Sequence, residues 1–277
     1  MPAPRVRRPR RFLTCEPRYF DVRYAINPWM REDTPVDTAL ALDQWHSLVR
    51  AYRDHGHTVE TVAPLPDLPD MVFAANAAVV LGGRVLGSRF AAPQRQPESA
   101  AYELWFKNAG FDVHEPQAVC EGEGDLVPVG PYLLAGTGFR TAPAAHAEAQ
   151  EFFGVPVVGL RLADPLFYHL DTALFALDDG QDDPGAANVA YYPAAFTPGS
   201  RAVLERLFPD AVLATEEDAM AFGLNSVSDG RHVFIAAQAH GLAERLARRG
   251  YVPVPLDLSE LRKAGGGIKC CTQEIRP

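Results

Sequence analysis

The chain has 277 residues, 47% of them hydrophobic and 22% charged, which is the composition of an ordinary globular protein. Its net charge of −9 at pH 7 argues against a nucleic-acid partner, because phosphate binding needs clustered lysine and arginine. The basic residues 5–11 are not followed by an apolar stretch of signal-peptide or transmembrane length, so we expect no membrane partner and a small-molecule substrate.

Four cysteines occur: Cys15, Cys120, Cys270 and Cys271. They form neither a disulfide framework nor the CxxC pair of a zinc site, so a reducing, cytoplasmic location is expected. The length fits one domain or two, since closed α/β folds often run about 200–250 residues as one domain. We expect a single catalytic domain over residues 1–277, with residues 1–11 as a flexible basic tail. Whether the chain forms a homodimer stays open.

The first predicted helix covers residues 34–55. Thr34 is a suitable N-cap, Pro35 fits the first helical position, and Gly56 follows the predicted end. The strand-like segment HTVETVAP comes next. The apolar side chains of the helix follow helical spacing: Val36, Leu40, Trp45, Leu48, Val49 and Tyr52.

Glycine turns between apolar, β-prone runs recur along the rest of the chain. Gly83, Gly130, Gly180 and Gly230 lie 47, 50 and 50 residues apart, a period that indicates a repeated supersecondary unit. Three of these hairpins are followed by a helical and then an extended segment, so the unit is ββαβ. The third unit is less regular, with NVAYYPAAF as the second strand, AVLAT as the last strand and a long loop at residues 180–188. The predicted helices cover residues 97–110, 142–154, 198–208 and 239–250.

A fifth unit is predicted from the two ends of the chain. The first helix and HTVETVAP need a hairpin, and FLTCEP near the start and IKCCTQEI at the end are the remaining candidates. A blade made from both termini closes a ring and removes free sheet edges. We therefore predict an α/β propeller of five ββαβ units around one axis.

His169 and Asp171 are polar residues within an apolar segment. On a strand, residues two apart face the same side, so the carboxylate would lie beside the imidazole. Such a pair suits general acid/base catalysis near neutral pH. For His169 alone, a hydrogen-bonded core histidine is the alternative.

Three acids, Glu121, Glu123 and Asp125, are separated by single glycines. Carboxylates this close repel unless a cation is bound, which indicates a cationic substrate or a metal. Metal binding is the weaker interpretation, because the further ligands that a metal needs are missing from the pattern. A solvated acidic turn is the alternative.

Four more polar residues are candidates. Asp70 and Asn76 flank the apolar MVFAA segment, where an unpaired amide would be costly. Arg95 and Arg140 lie near strand ends or turns, and guanidinium groups there could bind a substrate carboxylate.

The C-terminal GGGIKCC segment places Cys270 and Cys271 just behind three glycines. Glycine lets the backbone approach a ligand closely, and a thiolate is a strong nucleophile near neutral pH. This pattern favours covalent catalysis. A C-terminal strand with two buried cysteines is the alternative.

Together these segments resemble the guanidino-modifying enzyme superfamily, also called penteins. The resemblance covers nearly the whole chain, through FLTCEPRYFDVRYAINPWM, DMVFAANA, EGEGD, GFRT, HLDT, NSVSDG and GGGIKCC. It implies a five-bladed ββαβ propeller with pseudo-fivefold symmetry, in agreement with the repeat. It also implies a cysteine-dependent hydrolase of linear amidines that uses no metal and no other cofactor.

The resemblance also implies roles for the site residues. Cys270 resembles the nucleophile, His169 the general acid/base and Asp171 the carboxylate that binds the guanidinium. Glu121 is the favoured catalytic acid of EGEGD, with the other two acids behind it, although the spacing leaves that choice open. The implied substrate-binding residues are Asn27, Asp70, Asn76, Arg95, Glu123, Asp125 and Arg140, the two arginines binding the α-carboxylate.

Two asparagines narrow the choice within the family. Asn27 in INPWM and Asn76 in FAANA resemble the arginine dihydrolases, which form ornithine, carbon dioxide and ammonia. Dimethylarginine hydrolases often carry lysine in place of Asp171, and they and arginine deiminases usually carry aspartate in place of Asn76. The expected activity is arginine dihydrolysis. The alternatives are a dimethylarginine hydrolase or arginine deiminase that forms citrulline, an amidinotransferase, and a non-catalytic arginine-binding protein.

Overall fold

The computed structural model describes residues 5–180 and 186–277, which form five three-stranded sheets. Each sheet is one blade of the predicted propeller. Blade 1 holds β15 (Gln273–Glu274), β1 (Arg11–Cys15) and β2 (Thr58–Val62); blade 2 holds β3 (Val79–Leu81), β4 (Arg84–Leu86) and β5 (Val113–His114); blade 3 holds β6 (Leu126–Val129), β7 (Tyr132–Thr137) and β8 (Val157–Arg161); blade 4 holds β9 (Leu174–Asp178), β10 (Asn188–Tyr191) and β11 (Val212–Leu213); blade 5 holds β12 (Val227–Ser228), β13 (His232–Ala236) and β14 (Val252–Leu256).

The five blades share one topology. In each blade the middle strand pairs antiparallel with the inner strand and parallel with the outer strand. A parallel pair needs a crossover connection, and a helix lies in each crossover. The five-bladed ββαβ prediction is confirmed. The helices are α1 (Thr38–Asp54), α2 (Glu98–Asn108), α3 (Pro143–Phe153), α4 (Pro198–Leu207), α5 (Glu216–Met220), α6 (His240–Arg248) and α7 (Ser259–Arg262).

The N-cap of helix α1 lies three residues later than predicted. Asp37, not Thr34, is the N-cap: its backbone is extended and its carboxylate accepts a hydrogen bond from Leu40 N at 3.0 Å. Leu40 is consequently exposed, whereas Trp45 and the later apolar positions are buried. The helices predicted at 97–110, 142–154, 198–208 and 239–250 are found within two residues of their predicted ends, the usual uncertainty of such boundaries.

The basic N-terminal segment is not a frayed tail from Arg5 onward. Arg5 forms an ion pair with Asp178, and both Arg8 and Arg10 pair with Asp179. These contacts tie the start of the chain to blade 4. Residues 1–4 of the predicted tail, and residues 181–185 of the predicted loop, lie outside the described residues.

The described ranges contain no helix that is long and apolar enough to cross a membrane. The core consists of side chains that the blades and their crossover helices bury against one another. Leu13, Val80, Leu134 and Ile235, from four different blades, are fully buried. The sheets therefore hold the inner strand ends in fixed positions.

We expect Arg10→Met to lower the free energy of unfolding by about 2 kcal/mol, because it removes a buried cation that pairs with Asp179 and with Glu274 at 3.3 Å. Urea denaturation measures the change. The control is Arg18→Met, whose ion pair with Glu16 is exposed and whose loss should cost less than about 0.5 kcal/mol. Equal effects of the two substitutions would contradict an anchoring role for the basic segment.

Candidate active site

Short turns before the inner strands carry most of the predicted site residues. One-turn 3₁₀ helices at Ala74–Ala77, Gly122–Gly124 and Leu170–Thr172 come directly before β3, β6 and β9, and Cys270 lies in the turn before β15. Because inner strands converge on the ring axis, these turns meet. The turns that carry Asn76 and Cys270 border a cavity of about 250 Å³. The predicted site residues that line it are Asn27, Asp70, Asn76, Arg95, Arg140 and Cys270.

The prediction that His169 and Asp171 share one face of a strand is wrong. His169 is the extended residue before the 3₁₀ turn, and Asp171 lies within that turn. Their side chains therefore diverge. His169 contacts Glu121, whereas Asp171 contacts Cys270.

Cys270 is buried, and three hydrogen bonds with two side chains fix its position. Its Sγ donates to Asp171 Oδ2 at 3.3 Å and accepts from Asn225 Nδ2 at 3.1 Å, and its backbone N donates to Asn225 Oδ1 at 3.1 Å. Burial and the Asp171 carboxylate raise the pKa of the Cys270 thiol well above its ordinary value. The thiol is therefore neutral until a cation or a proton acceptor acts beside it.

The glycines before Cys270 make room for side chains of the protein itself. A Cβ on Gly266 would overlap the ring of Phe73, and one on Gly267 would lie 2.9 Å from Asn225 Oδ1. Gly265 has φ of +77°, a conformation that favours glycine. The run is thus needed for packing around Cys270.

Glu121 and His169 form a buried pair. His169 Nε2 lies 2.7 Å from Glu121 Oε2, and Arg140 Nη1 donates to the same oxygen at 3.1 Å. Burial alone would raise the pKa of Glu121, but the hydrogen bond from His169, with the charges of Arg140 and Arg95, lowers it to about 2. Because an ionised carboxylate only accepts, Nε2 carries a proton. Nδ1 is buried without a hydrogen-bond partner among the described residues, which leaves it available for proton transfer.

Asp70 and Asp171 each present one unused oxygen. Asp70 Oδ2 accepts from Tyr24 Oη at 2.7 Å, and Asp171 Oδ2 accepts from Cys270. In residues 5–180 and 186–277, no group donates to Oδ1 of either side chain, although both atoms are buried. Burial raises the pKa of both carboxyls. Buried acceptors without donors suit a cationic ligand that carries several N–H groups.

Arg95 fixes the orientation of Asn76. Its Nε and Nη2 donate to the two carboxylate oxygens of Glu98 at 3.0 and 2.8 Å, and its Nη1 donates to Asn76 Oδ1 at 2.7 Å. Because Arg95 can only donate, the amide oxygen must face it, and Nδ2 then points to the Glu121 carbonyl at 3.3 Å. A Cβ on Gly124 would overlap this amide nitrogen, so glycine is required there.

Asn27 and Arg140 close one side of the cavity. Asn27 Nδ2 donates to Ala264 O at 3.0 Å, and Arg140 Nη2 donates to Ile26 O at 2.7 Å. The Arg140 guanidinium also lies 5.0 Å from the centre of the Tyr168 ring. The loop around Asn27 is thus attached to two other parts of the ring.

The structure does not bring Glu123 or Asp125 to this cavity. Glu123 accepts from Lys269 Nζ at 2.9 Å and Glu274 N at 3.1 Å, and it pairs with Arg276. Asp125 accepts from the backbone of residues 141 and 170. Asp125 also lies 4.0 Å from His169 Nε2, so Glu121, at 2.7 Å, is the acid of EGEGD that is hydrogen-bonded to the imidazole.

Asn225 was missed by the sequence analysis, which quoted the NSVSDG motif without assigning it a role. It is buried and contacts both Cys270 and the backbone carbonyl of Asp171, at 3.1 Å. The sequence did contain a feature that could have identified Asn225 as a site residue, because Asn225, like Asn76, is an amide just before an inner strand. Glu98, the partner of Arg95, gave no such signal because it lies on helix α2.

Asp171 borders a different, larger cavity of about 550 Å³, together with Lys269 and Arg276. The smaller cavity is the better candidate for the active site because Cys270 and both predicted arginines line it. Among the described residues, no group of three or more histidine, cysteine, aspartate or glutamate side chains is arranged to hold a metal ion.

Known proteins with similar sequences cover the whole chain. The N(G),N(G)-dimethylarginine dimethylaminohydrolase of Mycobacterium tuberculosis is 46% identical over 276 residues, which cover 100% of this chain and 89% of the relative. The bifunctional arginine dihydrolase/ornithine cyclodeaminase ArgZ of Synechocystis sp. is 38% identical over 272 residues, which cover 96% of this chain and 37% of that protein. No family model matches the chain.

The N-terminal domain of ArgZ has a closely similar structure. A cysteine-to-serine variant with bound substrate, described as an arginine dihydrolase, superposes with a TM-score of 0.90 at 35% identity, covering 96% of this chain and 98% of the domain. An asparagine-to-serine variant, covalently bound to a reaction intermediate, superposes with a TM-score of 0.89 at 36% identity, covering 96% of this chain and 97% of the domain. The ring of five sheets is thus shared with these domains.

Glu123→Gln should lower the free energy of unfolding by about 3 kcal/mol, because Lys269 and Arg276 lose a buried counter-charge. Urea denaturation again gives the value. Glu103→Gln removes a surface ion pair with Lys107 and should cost less than about 0.5 kcal/mol. If Glu123→Gln is as stable as Glu103→Gln, the assigned role of Glu123 in holding the C-terminal segment is wrong.

Proposed function

We propose that this chain, which belongs to the dimethylarginine dimethylaminohydrolase family, is an arginine dihydrolase that converts L-arginine into ornithine, carbon dioxide and ammonia. The family consists of hydrolases that act on guanidino carbon–nitrogen bonds. One observation carries the choice of reaction: the cavity beside Cys270 presents an oriented amide, Asn76, rather than a further carboxylate. ArgZ, a relative with the same fold, is described as an arginine dihydrolase.

The unused oxygens of Asp70 and Asp171 support recognition of a guanidinium. A cation with N–H donors would satisfy two buried acceptors that otherwise remain unpaired. Arg95 and Arg140 line the cavity with Asp70 and Cys270 and supply positive charge for the α-carboxylate. Asp171 lies beside this cavity, where it contacts Cys270 Sγ. The site thus offers negative groups for one end of arginine and positive groups for the other.

The first half of the reaction uses Cys270 and His169. His169 Nδ1 takes the thiol proton, and the thiolate adds to the guanidinium carbon. His169 returns that proton to the departing ammonia, which leaves a covalent thiouronium. Water, deprotonated by His169, then adds to the same carbon, and the carbon–sulfur bond breaks to give citrulline and the thiolate. Glu121 holds the imidazole so that Nδ1 performs each transfer.

The second half repeats the attack on the retained citrulline. The thiolate adds to the ureido carbon, a second ammonia leaves, and water releases a carbamate that decomposes to ornithine and carbon dioxide. Two waters are consumed in total, and two molecules of ammonia and one of carbon dioxide are formed. The covalent intermediate of the ArgZ asparagine variant supports a covalent route for this chain.

Asn76 is the group that allows the second half. Its Nδ2 has one N–H directed at the Glu121 carbonyl and a second that can donate to the ureido oxygen of citrulline. An aspartate at this position would place a carboxylate oxygen against both the Glu121 carbonyl oxygen and the ureido oxygen. It would attract the guanidinium but repel the neutral ureide, so the reaction would end at citrulline.

Dimethylarginine hydrolysis is the second candidate, favoured by the 46% identity to the mycobacterial relative. Asp171 argues against it. A dimethylated nitrogen carries no N–H. Where its methyl groups face this buried carboxylate, Asp171 Oδ1 would therefore remain unpaired. Sites built around such hydrogen bonds reject analogues that lack the donor.

The reaction is tested by quantifying ornithine, citrulline and ammonia from L-arginine. We expect two molecules of ammonia for each molecule of ornithine formed. We also expect kcat/KM for Nω,Nω-dimethylarginine to be at least about 100-fold lower than for L-arginine, because the methylated nitrogen cannot donate a hydrogen bond to Asp171. Citrulline as the only product, or faster turnover of the methylated substrate, would contradict the proposal.

Asn76→Asp should convert the product from ornithine to citrulline, with ornithine formation lowered at least about 100-fold because a buried hydrogen bond to the ureido oxygen is lost. Citrulline supplied as the substrate provides the direct assay. Asn188→Asp, a change of the same kind on β10, is the matched control and should leave the products unchanged. Ornithine at the parent rate from Asn76→Asp would exclude this role for Asn76.

A further inference from the structure

Asn225 contacts the candidate nucleophile more extensively than any role assigned so far explains. Its amide makes three hydrogen bonds: Nδ2 to Cys270 Sγ, Nδ2 to the Asp171 carbonyl, and Oδ1 from Cys270 N, all at 3.1 Å. The backbone carbonyl of Asn225 also accepts from Lys269 N at 3.2 Å. The side chain is 1% exposed, so these contacts are dry and directional.

The repeat places Asn225 where other blades place site residues. Asn76, Asp171 and Cys270 each lie three residues before the inner strand of their blade, and Asn225 lies two residues before β12. The turn that precedes Asn225 is unusual, because Phe222 has φ of +60°, a strained value for a residue with a side chain. The backbone thus turns sharply just before it presents this amide to the axis.

We propose that Asn225 is the hydrogen-bond donor that stabilises the Cys270 thiolate during attack and during release of each intermediate. The inference rests on the proposed function, because it takes Cys270 as the nucleophile. The amide cannot rotate: Oδ1 must face the donor Cys270 N, so Nδ2 faces the sulfur.

The two neighbours of the sulfur respond oppositely to loss of the thiol proton. Asp171 accepts from the neutral thiol, and this bond disappears when His169 takes the proton. Asn225 donates to the sulfur, and its hydrogen bond strengthens when the sulfur becomes negative. Asn225 therefore favours the thiolate in a pocket where burial and Asp171 oppose it.

The test measures the reactivity of Cys270 without substrate. Alkylation of the intact protein by the neutral reagent iodoacetamide is followed by mass spectrometry between pH 6 and pH 10, with Cys270→Ala to identify the site. Asn225→Asp keeps the acceptor for Cys270 N but replaces the donor with negative charge. We expect alkylation at pH 8 to slow at least tenfold, since each unit of increase in the thiol pKa lowers the thiolate fraction about tenfold.

Asn225→Ser provides a smaller substitution in case the carboxylate disturbs folding, and it should slow alkylation at least threefold. Ser226→Ala is the matched control: it removes a hydrogen bond to Gly223 in the same turn without touching the sulfur, and should alkylate at the parent rate. In a Cys270→Ala background, the Kd for arginine of the Asn225→Ser variant should lie within about threefold of the Kd of the protein that retains Asn225. Unchanged alkylation in both Asn225 variants, or equal slowing in Ser226→Ala, would overturn the inference.

The parent protein separates the two proposals. If its Cys270 is not alkylated and it does not turn over arginine, the proposed function fails. If the parent reacts and turns over, while the Asn225 variants alkylate at the parent rate across the pH range, only the role of Asn225 fails.

Discussion

The pairing of β15 with β1 is the constraint on which the site depends, because it docks the last residues of the chain beside the first. Phe12 and Leu13 pair with Glu274 and Gln273, and this register positions the turn that carries Cys270. The nucleophile candidate is therefore in place only when the ring has closed. Stability of the ring and assembly of the site are one event, in which long-range contacts complete the last blade.

The acidic turn between α2 and β6 connects this closure to the proton-transfer groups. Glu121 holds His169, while Glu123, two residues on, holds Lys269 and the Glu274 backbone. Any shift of this turn would move the imidazole and the C-terminal segment together. Buried carboxylates are costly unless they are paired, and here each has a specific partner that fixes its direction. The electrostatic cost of the site is thus offset by the contacts that align it.

The architecture could be predicted from the sequence because the repeat is visible in features that depend on local sequence. Glycine turns, alternating apolar runs and helical periodicity each indicate their own element, and a period near 50 residues identifies the blade. The predicted start of α1 was wrong because Thr34 and Asp37 are both suitable N-caps, and Asp37 has in addition a tertiary hydrogen bond from its backbone N to Glu260 Oε2 at 2.9 Å. Propensity alone does not contain that contact.

The direction of the site side chains could not be predicted for a related reason. In a strand, residues two apart point the same way, but in a 3₁₀ turn successive residues are about 120° apart and two-apart residues diverge. This difference explains the error at His169 and Asp171, whereas the choice among the three acids of EGEGD was left open by the spacing of that motif. The partners that decide each case come from other blades, so they are visible only once the ring is assembled.

The pseudo-fivefold symmetry explains how one fold provides these different functions. The position three residues before the inner strand is occupied by Asn76, Glu123, Asp171 or Cys270 in four of the blades. In the remaining blade, Asn225 lies two residues before the inner strand. Equivalent positions converge on one axis, so a change of residue type at a single position per blade changes the chemistry while the sheets remain the same. Asn76, Asp171, Asn225 and Cys270 lie at or beside the candidate site, whereas Glu123 holds the C-terminal segment instead. Under the proposed reaction, a carboxylate in place of Asn76 would favour the charged ligand over the neutral one, whereas a carboxylate in place of Asn225 would oppose the Cys270 thiolate. The two amide positions therefore differ in consequence: one acts on the ligand and the other on the nucleophile.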